Sequence, residues 1–193
     1  MIVNLRGTSG SGKTFLTEKL LRFYERSGKN DGAICDGGRV VGEHRGRKLA
    51  VLHCDLIHGY NHCFDLVRRA AEQFEHVLFE GLIVSEEWKR TLQLHLDGLA
   101  LVVVRLDVDI ELCLAGVRAR RGESGGKSLG LFPEKEAKGA LDEENTRRRV
   151  SVIERACDKL SDAGVCVLSG DRDRALGYAE ETLGLHGGWE TGG

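Results

Sequence analysis

The sequence predicts an α/β fold, a mostly parallel five-stranded sheet with helices on both faces. Three observations lead there. Short apolar runs alternate along the chain with segments of helical periodicity, the order that builds parallel sheets. Residues 99–106 are almost wholly apolar and do not alternate, as a strand covered on both faces requires. Residues 7–14 read Gly-Thr-Ser-Gly-Ser-Gly-Lys-Thr, a G-x-x-x-x-G-K-[ST] loop lying directly between a first strand and a first helix.

The elements follow in order. Ile2, Val3, Asn4 and Leu5 form the first strand, and the helix after the loop runs from Phe15. Gly28 and Gly32 then break the chain. Two extended runs, 39–41 and 49–52, joined by a polar turn over 43–48, read as a hairpin or edge excursion. A helix over 61–74 carries Phe64, Val67, Ala71 and Phe74 at helical spacing, and leads into a strand over 77–81 that ends in Glu80 and Gly81. A helix over 85–96 is expected to start at Ser85 as its N-cap, with Glu86 and Glu87 at the positive end of its dipole. After the 99–106 strand, residues 109–121 are helical, 122–139 are irregular, and 141–163 are helical with Val150, Ile153, Cys157 and Leu160 on one stripe. A strand over 165–168 and a helix over 174–183 complete the set. The expectation is one domain over 1–184 and a flexible tail over 185–193.

Bulk composition narrows the function classes. A net charge of −2 on 193 residues gives no global attraction to nucleic acid or acidic membranes, so a polyanionic partner must be held by a local basic patch. No apolar run approaches bilayer length and Met1 opens straight into a strand, from which a cytoplasmic protein without membrane contact is expected. Six cysteines without a C-x-x-C pair read as buried thiols in place of a disulfide framework.

The loop carries the chemistry. Gly7, Thr8, Ser9, Gly10, Ser11 and Gly12 let backbone N–H groups turn around a triphosphate, Lys13 reaches its outer phosphates, and the Thr14 hydroxyl can ligate Mg²⁺. ATP and Mg²⁺ are the expected cofactors. No N-K-x-D or T-K-x-D segment and no Gln-bearing D-x-x-G appears, which removes the marks of guanine-specific switches. Phe79-Glu80-Gly81 has instead the strand-Glu-Gly ending frequent in small-molecule P-loop kinases, where Glu80 holds Mg²⁺ through water or binds the acceptor.

Phosphoryl transfer needs positive charge on the moving group's oxygens. Arg118 and Arg121 share a helix face at the entry to a lid over 118–141, whose closure would exclude water. On the next helix Arg147 and Arg149 flank the apolar stripe and are candidates to face the cleft. Asp55, just past the 49–52 strand, is the best-placed carboxylate to orient or deprotonate an acceptor hydroxyl, with Asp36 a second choice in a Gly-flanked turn. His58 and His62 are spaced i,i+4 beside Asp65, a conceivable zinc pair, but without a C-x-x-C unit they read better as lining the acceptor pocket or facing water.

Residues 2–14, 77–82, 118–122 and 144–147 together resemble a group of bacteriophage P-loop kinases that includes the 5-hydroxymethyluracil DNA kinases. The resemblance implies a nucleoside/nucleotide kinase-like fold and an enzyme that phosphorylates the hydroxymethyl group of a modified uracil already within phage DNA, as a step toward thymine hypermodification. The chain departs from the group over 52–60, where a Gly-rich, Cys-containing stretch is usual, and this bears on the acceptor more than on the chemistry. Two other readings stay open: a kinase of free nucleosides or nucleoside monophosphates, and an ATP-hydrolysing switch or assembly factor.

Overall fold

The computed structural model describes residues 1–26, 39–44, 46–123 and 143–185, with the backbone alone at 25–26, 39–43 and 120–123. Strand β1 (Ile2–Arg6) feeds through the glycine loop into helix α1 (Lys13–Arg26). Strands β2 (Arg39–His44) and β3 (Arg47–His53) form an antiparallel hairpin, followed by a 3₁₀ turn (Cys54–Leu56) and α2 (Tyr60–Gln73). Then come β4 (His76–Glu80), α3 (Leu82–Glu86), α4 (Lys89–Leu96), β5 (Leu101–Leu106) and α5 (Ile110–Glu123). Helix α6 (Glu143–Asp162), β6 (Cys166–Gly170) and α7 (Arg172–Thr182) close the described chain.

The strand order is β2-β3-β4-β1-β5-β6. Five strands are parallel, and the hairpin adds β2 antiparallel at one edge. Every residue of β1 and β4 is buried, as strands covered on both faces require, and their polar members Asn4, Arg6, His76 and Glu80 are buried with the rest. Alternate residues feed two cores. Ile2, Ala50, Leu52, Val77, Phe79 and Val103 pack under α2, α3, α4 and α6, and Val3, Leu5, Val51, Leu78 and Val104 pack under α1 and α7. All the parallel strands therefore present their carboxyl ends at one edge, the edge where open α/β sheets hold ligands.

The helix expected over 85–96 is two helices. Glu87 is extended (φ −91°, ψ 111°) and breaks the run. Ser85 lies in the last turn of α3, where its hydroxyl donates to Gly81 O at 2.6 Å, and does not cap a helix start. The caps come from elsewhere. Glu87 Oε1 accepts from the N–H groups of Lys89 and Arg90, so it starts α4. Asp55 holds the first turn of α3, Oδ2 accepting from Leu82 N at 2.9 Å and Oδ1 from Ile83 N at 3.2 Å.

The break has a cause in β1. Arg6 is fully buried on the α3/α4 face, and its guanidinium donates to Ser85 O, Glu87 O, Thr91 Oγ1 and Asn4 Oδ1 at 2.6–3.0 Å. Burial lowers its pKa to about 10, so it stays charged at neutral pH and needs this ring of acceptors. A straight helix would keep the 85 and 87 carbonyls for its own ladder. The kink turns them toward Arg6.

Candidate active site

The glycine loop wraps the carboxyl end of β1. Gly10 (φ +81°) and Gly12 (φ +105°) adopt backbone that L side chains rarely reach. Gly10 is also pressed against α5: a Cβ there would stand 1.9 Å from Cys113 O, and one on Gly116 opposite would stand 3.0 Å from Gly10 O. Lys13 is buried and folds back into the loop, donating from Nζ to Gly7 O (2.8 Å) and Thr8 O (3.1 Å). Ser11 Oγ is buried with no hydrogen-bond partner among the described residues, a polar atom that a phosphate oxygen would satisfy. Thr14, one residue into α1, is exposed.

Strand register assembles the rest. Leu5, just before the loop, pairs with Glu80, and Glu80 pairs with His53 on β3. The two side chains meet, His53 Nδ1 lying 2.8 Å from Glu80 Oε1, with Glu80 buried and His53 half-buried. Asp55 lies beside them against Gly81, where a Cβ would come within 2.9 Å of Asp55 Oδ1. Its carboxylate thus joins the ends of β3 and β4 while capping α3. The Cys54 thiol beneath is pushed well up by its hydrogen bond with Cys63 and by burial, which leaves it protonated.

The other candidates scatter. Arg147 is exposed and paired with Glu143 one turn back, whereas Arg149 is half-buried, 3.9 Å from Glu86 on α3. Arg118 is exposed on α5, and His58 and His62 are exposed at the entry to α2. Asp36, the Arg121 side chain and the lid segment 124–141 lie outside the described residues.

Two groups escaped the sequence reading. Nothing in the local sequence singles out His53, and only strand register reveals its pairing with Glu80. Arg172, at the start of α7, donates from Nε to Ser11 O (2.9 Å) and from Nη2 to Gly10 O (3.1 Å), clamping the loop from the far end of the chain.

Thr14 and Glu80 offer hard oxygen donors, and among the described residues no group of three or more His, Cys, Asp or Glu gathers to hold a metal. A cation here must complete its shell from phosphate oxygens and water, which is how Mg²⁺ is usually held. The residues fit that ion.

A glycine loop of this geometry on a parallel sheet, with a carboxylate at the neighbouring strand end, defines a P-loop kinase. The chain is 32% identical to the 5-hmdU DNA kinase of Pseudomonas phage PaMx11 over 194 residues, covering 94% of this chain and 96% of that protein. It belongs to that kinase family. Its fold is similar to deoxyadenosine kinase from M. mycoides with bound dATP, at TM-score 0.50 and 10% identity over 95% of this chain and 100% of that one. A second structure of that enzyme, with dCMP and dCDP, gives 0.47 at 10% identity, covering 96% and 100%. No family model matches the sequence. No helix among the described residues is long and apolar enough to cross a membrane.

Proposed function

We propose that this kinase transfers the γ-phosphoryl group of ATP to the hydroxymethyl oxygen of 5-hydroxymethyluracil within DNA. The observation that carries the reading is the match to the phage kinase along nearly the whole chain, joined to an intact phosphate loop. In the reaction the hydroxymethyl oxygen bonds to the γ-phosphorus, the bond to the β–γ bridging oxygen breaks, and ADP leaves. Lys13 exchanges the carbonyls of Gly7 and Thr8 for phosphate oxygens. Mg²⁺, when bound, neutralises charge on the β- and γ-phosphates, and Thr14 and Glu80 are the residues to hold it. Asp55 orients the acceptor hydroxyl from the β3–β4 junction. Arg118 and Arg121 are the residues to supply positive charge from the lid segment 118–141, while His58 and Arg149 are the remaining candidates to meet the acceptor. One domain over 1–184 carries the whole activity.

Balanced charge favours a second reading, a kinase of free nucleosides or nucleotides, because a DNA enzyme usually displays a basic stripe. Incubation with γ-labelled ATP and Mg²⁺ separates the two. Label in duplex DNA containing hydroxymethyluracil, and not in unmodified DNA or the free nucleotide, is the expected result. Label in the free nucleotide alone moves the acceptor to a metabolite, and phosphate release without any acceptor means a hydrolytic switch. Lys13→Ala is expected to abolish transfer.

A further inference from the structure

Two loops meet outside the phosphate site at the carboxyl ends of neighbouring strands. One runs from β3 through Asp55 to Tyr60 at the start of α2, and the other runs from β4 through α3 to Lys89 and Arg90 at the start of α4. Their tips are tied. Arg90 Nε donates to Asn61 Oδ1 at 2.9 Å, Arg90 Nη1 donates to Glu87 Oε2 at 2.9 Å, and the guanidinium carbon lies 5.6 Å from the centre of the Tyr60 ring. Tyr60 is nonetheless 45% exposed. Further cations sit alongside, with Lys89 Nζ at 5.9 Å and Lys159 Nζ at 4.8 Å from the Trp88 ring.

A tyrosine ring backed by a pinned guanidinium is a rigid planar surface, and nucleobases stack on such surfaces whatever their sequence. A nucleotide reaching a phosphate loop at the end of a sheet must leave its duplex, and its neighbours in the strand then lose a stacking partner. The chain's net charge offers the backbone nothing, so any hold on phosphates must come from local cations.

We propose that Tyr60, backed by Arg90, is the platform on which a base of the DNA strand stacks while the acceptor nucleotide enters the cleft beside Asp55 and Glu80, with Lys89 on the flanking phosphates. The proposal rests on DNA being the acceptor and names the surface that receives the strand.

Steady-state kinetics on hydroxymethyluracil duplex, with DNA and ATP varied separately, tests it. Tyr60→Ala is expected to lower kcat/KM for DNA about 10–100-fold with KM for ATP unchanged, and Tyr60→Phe and Tyr60→Trp to restore it. Lys89→Ala should reduce the slope of log affinity against log salt by about one, a readout independent of any change in packing at Tyr60. If wild type labels DNA and both Tyr60→Ala and Lys89→Ala match it in kcat/KM and salt slope, the platform is overturned and the acceptor assignment stands. If wild type labels only free nucleoside, both fall.

Discussion

At the scale of single residues, the site is governed by positions where one added atom has nowhere to go. Gly10 combines a left-handed backbone with a Cβ position 1.9 Å from Cys113 O. Gly10→Ala must therefore push the loop off α5, and it is expected to lose ATP binding by calorimetry while the circular dichroism of the sheet survives. Asp55 shows how one residue serves two ends. Its oxygens accept from Leu82 N and Ile83 N, so Asp55→Asn turns an amide NH₂ against one of those donors. That loses a helix cap worth about 1 kcal/mol, or roughly 2–4 °C in Tm, besides slowing transfer. Unchanged Tm and unchanged kcat for this variant would remove Asp55 from both roles. ATP affinity should stay near wild type, because the loop makes no contact with this carboxylate among the hydrogen bonds of the site.

At the scale of elements, the phosphate loop depends on a helix distant in sequence. Arg172, at the first position of α7, donates to the carbonyls of Gly10 and Ser11, and Asp171 caps the same helix by accepting from Arg174 N. Charge-assisted bonds of this kind are worth about 1.5–3 kcal/mol each when their acceptors are buried. Arg172→Ala is expected to weaken ATP binding by about tenfold or more, with the acceptor KM unmoved; equal ATP affinity would show that the loop holds its shape alone. Sequence pattern could not reveal this clamp, since nothing in an Asp-Arg-Asp-Arg run says which arginine turns inward. What pattern did reveal was whatever rests on local periodicity: the parallel strands, the glycine loop with Lys13 and Thr14, and a carboxylate at the end of β4. The break between α3 and α4 was hidden because its cause is Arg6, whose need for carbonyl acceptors acts across 79 and 81 residues of chain. The meeting of His53 with Glu80 was hidden for the same reason, as register between β3 and β4 is a tertiary fact.

At the scale of the whole molecule, the two edges of the sheet do different work. The carboxyl edge gathers the phosphate loop, Glu80 and Asp55, whereas the amino edge closes around a cavity of about 170 Å³ lined by Tyr24, His44, Arg47, His76 and residues 183–185. There His76 Nδ1 meets Tyr24 OH at 3.0 Å. Burial raises the phenol's pKa, so the hydroxyl keeps its proton and donates it to the ring nitrogen when the imidazole is neutral with Nδ1 unprotonated. Burial, then the Met1 ammonium and Arg47, hold the His76 pKa below its ordinary 6.5, with Glu75 opposing them weakly. The unfolded chain therefore binds a proton near pH 6.5 that the folded chain refuses. Stability from this source is complete above that pH and is lost as pH falls from 6.5 toward the folded value. The Met1 amine is also lowered, by its own burial, but its window opens below 8.0 and is shared by wild type and any His76 variant. Melting temperatures of wild type and His76→Asn, compared from pH 8 to pH 5, isolate the imidazole. The wild-type curve is expected to bend downward below about pH 6.5, by at most about 1.4 kcal/mol for each pH unit, while the variant starts lower and runs flatter. Parallel curves would mean that His76 already carries its proton in the fold, which would reverse the donor assignment at Tyr24.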